Sequence, residues 1–198
     1  VYRHLQGRVW SKDTQAVARL LARLHRQGNN VPLRNIASGS AALQAQTQSI
    51  LADCIHNDFN IPRSIADLVV SAIERPCLIH TDVVANNLIQ TPDGLRLIDW
   101  QCPGLGDPCE DLASFLSPAM HLLYGSTPLN PTQIEQFLTA YDNPLVVQRY
   151  IRLAPLFHLR SAAYCQWKIE RGDLDYLPAL KLEMLALEKA CDQNHDAG

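Results

Sequence analysis

Apolar residues recur at the helical period along most of this chain, and a short central segment breaks that period. Val17, Leu20, Leu21 and Leu24 share one face of a predicted helix that starts at a Ser11 cap, runs to about Gln27 and stops at Gly28. Gly, Asn, Pro and Ser make 28–39 a loop. A second helix over 41–57 groups Leu43, Ile50, Leu51 and Cys54. Pro62 suits the first turn of a third, PRSIADLVVSAIER, closed by Glu74, Arg75 and Pro76 because a residue before proline resists helical geometry. After Pro108 the helical pattern returns. It predicts helices over 109–120 (Leu112, Phe115, Leu116), from Pro131 through Tyr141, over 145–169 as one or two helices, and over 173–192 with Leu177, Leu180, Leu185 and Leu187.

The central segment reads differently. Leu78 and Ile79 lead into His80-Thr81-Asp82, residues 87–90 form a short strand, and Leu95 to Trp100 returns beside it. Thr91-Pro92-Asp93-Gly94 is the turn: Pro presets φ and Gly tolerates positive φ. The resulting hairpin over 87–99 brings Asn87 and Asp99 together at its open end. The opening VYRHLQGR reads as the end of a strand followed by a turn at Gly7, so the chain is expected to be cut out of a longer one.

Composition narrows the class. With 198 residues, 47% hydrophobic and 19% charged, the chain makes one folded domain or one large lobe. A formal net charge of −3 provides no basic field for nucleic acid. No run spans a bilayer and no secretory leader is visible, so no membrane partner is expected. The six cysteines form no CxxC pair and read as buried or half-buried free thiols in a reducing cytoplasm. Nothing constrains the oligomeric state.

The chemistry lies in CLIHTDVVANNLIQTPDGLRLIDWQCPGLGDPCEDLASF, residues 77–115. Asn and Asp oxygens are hard ligands suited to Mg²⁺, which takes a few protein oxygens plus substrate phosphates. An uncoordinated carboxylate such as Asp82 accepts a proton from an incoming hydroxyl. That division of labour is the one phosphoryl transfer uses. Asn86 lies one residue off the offset that Asn87 satisfies.

The ordered pattern resembles aminoglycoside phosphotransferases and choline kinases, small-molecule kinases with a protein-kinase-like fold. It is carried by His80, Asp82 and Asn87, then Asp99-Trp100, then Gly106-Asp107-Pro108 and Asp111-Leu112-Ala113. VYRHLQGR followed by a helix ending in LARLH is also similar to that family's hinge and first C-lobe helix. The resemblance implies an α+β, predominantly helical fold: a C-terminal lobe whose small β-hairpin carries the catalytic and metal-binding loops. Residues 1–10 would be a hinge remnant from an absent N-terminal lobe, and residues 11–198 the catalytic lobe. It implies Asp82 as base, Asn87 and Asp99 as Mg²⁺ and nucleotide ligands, His80 as a brace, and Asp111 holding the loop from behind. Asp107 would be a turn former or a buried carboxylate near the metal. ATP and Mg²⁺ are the implied cofactors, and the partner is a small alcohol, choline- or ethanolamine-like first and aminoglycoside next. Thr81 and the apolar Val83-Val84-Ala85 depart from the family pattern, and no Gly-rich phosphate loop is present.

Tyr150, Phe157, Tyr164 and Trp167 form an aromatic stripe that reads as core; the resemblance makes Tyr164 and Trp167 a candidate acceptor pocket. An aromatic wall would suit a quaternary ammonium. Carboxylates such as Glu170, Asp173 and Asp175 would suit an aminoglycoside, against the simpler reading of a solvated helix end. Two other classes stay open: a lobe-only binding module without catalysis, and a metal-dependent hydrolase using His80, Asp82, Asp99 and Asp107.

Overall fold

The period break predicted from the sequence is where the chain leaves its helices for two small antiparallel sheets. A computed structural model describes residues 5–27, 32–56, 59 and 61–195. In chain order the elements are β1 (Arg8–Val9), α1 (Thr14–Arg26), α2 (Ser40–Ala52), α3 (Arg63–Ala66), β2 (Cys77–Ile79), a 3-10 turn (Ala85–Asn87), β3 (Leu88–Thr91) and β4 (Gly94–Leu97). Then follow β5 (Gly104–Gly106), α4 (Cys109–Leu116), α5 (Pro118–Leu123), α6 (Pro131–Ala140), α7 (Pro144–Glu170) and α8 (Tyr176–His195). One sheet has the order β1-β3-β4 and the other pairs β2 with β5.

The hairpin registers Thr91 with Gly94 and Leu88 with Leu97. Gly94 takes φ 113°, which a side chain would resist. Strand β1 adds to it through Arg8 and Val9, just after Gly7, while the predicted opening strand falls mainly on residues that are not described. Residues 1–4 lie outside the described residues.

The main core joins α1 (Val17, Ala18, Leu21) to α4, α6 and α7 through Leu112, Phe115, Phe137, Leu153 and Leu156. Phe115 stacks on Phe137 at 4.9 Å and meets Trp10 edge-on at 5.2 Å. Arg160 on α7 forks onto both oxygens of Glu110 on α4, at 2.6 and 3.1 Å.

Several predicted boundaries move, each for a local reason. Asp13, not Ser11, caps α1: its carboxylate accepts from the Ala16 N–H at 2.9 Å. The predicted stop at Gly28 lies outside the described residues; the helix itself ends at Arg26. Helix α2 ends at Ala52, short of Cys54. The predicted 109–120 helix breaks at Ser117, whose hydroxyl caps α5 by accepting from the Met120 N–H. Residues 144–170 form one helix that runs through Pro155. On α8 the inward residues are Ala179, Glu183, Leu187 and Ala190, while Leu177 and Leu185 face solvent.

The largest change is the third helix, which lasts four residues. Beyond it, other side chains and loops capture the backbone that a helix would have paired internally. Ser40 Oγ accepts from the Val70 N–H at 3.0 Å and Ser38 Oγ from the Ile73 N–H at 3.0 Å. Arg149 donates to the Ser71 carbonyl and Arg152 to that of Val69. The chain passes so close to Gly39 (φ 86°) that a Cβ there would sit 2.7 Å from the Val70 carbonyl oxygen. Ser40→Ala strands a buried N–H and is expected to destabilise the fold by about 1–3 kcal/mol. Thermal denaturation reads this directly, and an unchanged Tm would show that the segment is held by other contacts.

All six cysteines are free. Cys102 is exposed, against the expectation that all would be at least half-buried. Burial, with help from the Asp111 and Asp107 charges, pushes the Cys77 thiol up to about 12. Among the described residues no helix is long and apolar enough to cross a membrane.

Candidate active site

Strand β2 delivers the chain to His80, and one carboxylate catches it there. Asp111, in the first turn of α4 and fully buried, accepts from the His80 N–H (2.8 Å) and the Thr81 N–H (2.7 Å), one on each oxygen. Its place at a helix N-terminus favours the negative charge. His25 supplies a third contact, Nε2 to Asp111 Oδ2 at 3.0 Å, while its Nδ1 lies 2.7 Å from the Tyr141 hydroxyl. With Asp111 accepting, Nε2 carries the hydrogen and Nδ1 accepts from Tyr141. Burial pushes the Tyr141 phenol up, which keeps it a donor.

This grip holds a strained residue. Thr81 takes φ 71°, a left-handed conformation that β-branched side chains resist. Its hydroxyl donates to the Cys102 carbonyl at 2.9 Å, so the turn is tied at both ends. His80 is buried between partners: Nε2 is 2.9 Å from the Ile98 carbonyl, and Nδ1 accepts from the Asp82 N–H at 3.3 Å. Trp100 meets the imidazole edge-on at 4.5 Å.

Asp82 follows, half-buried. The Asn87 amide nitrogen donates to both the Asp82 carbonyl (3.0 Å) and its Oδ2 (2.9 Å). Asp82 Oδ1 and Asn87 Oδ1 then have no hydrogen-bond partner among the described residues. The Ile98 N–H donates to the Asn87 carbonyl at 3.0 Å, so the hairpin opens with Asp99 one residue past Asn87's partner. Asp99 is exposed, sits at φ 62° and makes no hydrogen bond among the described residues.

The free donors, an amide oxygen and a carboxylate, are hard oxygens of the kind Mg²⁺ takes when phosphates complete its shell. No group of three or more His, Cys, Asp and Glu that could hold a metal ion occurs among the described residues. The set that a zinc-type hydrolase needs is therefore not assembled from His80, Asp82, Asp99 and Asp107. Asp107 is buried elsewhere: it accepts from the Cys109 N–H (3.0 Å) at the start of α4 and from Arg149 Nε (2.7 Å).

The aromatic stripe on α7 divides. Tyr150 and Phe157 are core, stacked 6.3 Å apart. Tyr164 and Trp167 turn outward, stacked at 5.9 Å, with Tyr176 edge-on to Tyr164 at 6.0 Å. Burial, then the Asp82 charge, push the Tyr124 phenol up. Glu170 is a strut rather than a solvated end: it accepts from the Ile55 and His56 N–H groups and from Gln166. These hydrogen bonds hold its carboxyl below the usual range.

Three structural partners escaped sequence reasoning. His25 had a signal: it lies four residues after Leu21 on the apolar face of α1. Arg149 and Glu183 had none, because a charge on a helix reads as solvated until its buried partner is known.

The model of the phosphotransferase enzyme family matches residues 1–156. Among solved structures, a choline/ethanolamine kinase family protein from Mesorhizobium loti is similar with a TM-score of 0.60 at 16% identity, covering 89% of this chain and 60% of that one. The choline kinase LicA from Streptococcus pneumoniae gives 0.55 at 18%, covering 89% and 63%. The gentamicin complex of APH(2″)-IIa gives 0.55 at 16%, covering 94% and 72%. At these identities the likeness shows the fold, which is kinase-like, α+β and predominantly helical. The chain spans less than two thirds of the length of the first two. No curated protein matches it.

Proposed function

The chain belongs to the phosphotransferase enzyme family, and from that premise we propose that it is the catalytic C-terminal lobe of an ATP-dependent enzyme that phosphorylates a hydroxyl of a small molecule. Residues 11–198 would be that lobe and residues 1–10 its hinge. One observation carries the reading: the Asn87 amide fixes one oxygen of Asp82 while the other Asp82 oxygen, Asn87 Oδ1 and Asp99 stay without partners among the described residues. Free donors of two kinds side by side suit a hydroxyl on one flank and a nucleotide on the other.

In the reaction the acceptor oxygen bonds to the γ-phosphorus and the bond from phosphorus to the β–γ bridging oxygen breaks. ADP leaves and Asp82 takes the hydroxyl proton. Asn87 and Asp99 would hold Mg²⁺, which when bound neutralises charge on the nucleotide phosphates. His80 keeps the Asp82 backbone in place from one side, and Asp111 holds the strained turn from the other. Asp107, through Arg149, steadies the start of the helix that carries Asp111.

LicA was solved with AMP bound. That supports a nucleotide here, as the choline, ethanolamine and gentamicin in the neighbours' names support amino alcohols and aminoglycosides as first acceptors. The test is transfer of labelled γ-phosphate from ATP by the full-length protein, with Mg²⁺ varied. Asp99→Asn is expected to raise the Mg²⁺ concentration for half-maximal rate by at least about tenfold. An unchanged requirement would remove Asp99 from the metal site.

A further inference from the structure

A groove between α6, α7 and α8 has a volume of about 960 Å³, and none of His80, Asp82, Asn87 and Asp99 lines it. Its walls are apolar: Ile134 and Leu138 come from α6, Val147 and Ala154 from α7, Leu185 and Ala186 from α8. That size and lining suit a small molecule when a few polar groups orient it.

Below the rim, two side chains on one face of α7 supply such groups, and neither is satisfied. Tyr150 is 6% exposed, and its hydroxyl makes no hydrogen bond among the described residues. Burial, then the Glu183 charge, push its phenol up, so it keeps its proton to donate. His158 spends Nδ1 on Glu183 at 2.7 Å, and its Nε2 has no partner among the described residues. Glu183 is fully buried and also takes the Ser117 hydroxyl and the Ala119 N–H, so the imidazole is anchored before any ligand arrives. A buried phenol and a mostly buried imidazole left unpaired cost free energy that a ligand recovers. The two residues stand two helical turns apart, about 12 Å along the axis, with Ala154 between them.

The other ionisable groups of the lining, Glu135, Asp142 and Lys189, are exposed at the rim. Asp142 has Arg26 at 4.0 Å, so two acids and two bases meet there. Deeper in, a charged head would be desolvated without a counter-ion, because both Glu183 oxygens are taken. A hydroxyl fits without charge: it donates to a bare Nε2, accepts from a protonated one, and accepts from Tyr150. A carboxylate can only accept, and an ammonium can only donate. We propose that the groove is a second small-molecule site, taking an uncharged, mostly apolar compound with an oxygen group toward each end, one for His158 and one for Tyr150.

The test is calorimetric titration of the full-length protein, without nucleotide, with 1,8-octanediol, 1-octanol, octanoate and octylamine. The diol is expected to saturate one site, with a Kd at least about tenfold below those of the other three. Tyr150→Phe, which removes only an oxygen, should weaken the diol by about tenfold and leave 1-octanol nearer its original Kd. Ala186→Trp fills the groove from a half-buried wall position and should abolish binding. Tighter binding of octanoate or octylamine, or a diol Kd unchanged in both variants, overturns the proposal. So does a diol that never saturates, as when a second copy or another segment of the protein already fills the groove; sedimentation of the protein and of Ala186→Trp then tells those two occupants apart.

Discussion

Asp82→Ala is expected to lower kcat by about 10²–10⁴-fold, the range that a positioned general base contributes. The fold should survive, because Asp82 is half-buried and the turn around it is anchored by other residues. Asp111 still accepts from the His80 and Thr81 N–H groups, and Asn87 still donates to the Asp82 carbonyl. The change therefore removes one proton acceptor and little else. KM for ATP should stay near its original value, since the free oxygens assigned to the nucleotide side belong to Asn87 and Asp99. Asp82→Asn keeps the shape but cannot take the proton, so it should fall with the alanine variant. Steady-state kinetics beside a thermal melt decides the matter: turnover retained in a folded Asp82→Asn protein would refute the mechanism.

Asp111→Ala should have the larger effect on stability, about 3–5 kcal/mol, in line with breaking a buried charged group away from its partners. The substitution strands the N–H groups of His80 and Thr81 and the nearly buried ring of His25. It also frees Thr81 from a conformation that stores about 1–3 kcal/mol of backbone strain. Relaxation of that residue moves Asp82 next to it. Activity should therefore be lost even at temperatures where the protein stays folded. His25→Ala tests the same post more gently: Asp111 keeps both backbone donors, so stability should fall by less. Urea unfolding of the three proteins gives the comparison, and equal midpoints would show that Asp111 is not the anchor.

What could be read from the sequence was local. The hairpin rests on a four-residue turn, and its register follows from counting outward from Pro92-Asp93. The order His80, Asp82, Asn87, Asp99, Asp111 spans one short stretch with few ways to fold. What could not be read depends on residues far apart. The third helix looked sound because Pro62 suits a first turn and Arg75-Pro76 a stop. Its backbone is instead taken by Ser38, Ser40 and Arg149, the last 78 positions away from its partner. Nothing in the sequence marks Glu183 as a buried residue. It is fully buried because Ser117, the Ala119 N–H and His158 converge on its carboxylate. The aromatic stripe was legible as core, which holds for Tyr150 and Phe157, but not that Tyr164 turns outward or that Arg171 covers the Trp167 ring.

The post behind the active loop has a further consequence, for the order of events during folding. His25 joins Asp111 across 86 positions and Tyr141 across 116, while Asp111 reaches His80 across 31. Contacts between residues so distant in sequence form late, after loop-closure entropy has been overcome. Thr81 has no reason to enter its strained conformation until all four have met. A partly folded chain can hold every helix and still have a slack, inactive loop. Regain of turnover after dilution from urea should therefore trail the recovery of helical signal and coincide with burial of the last side chains.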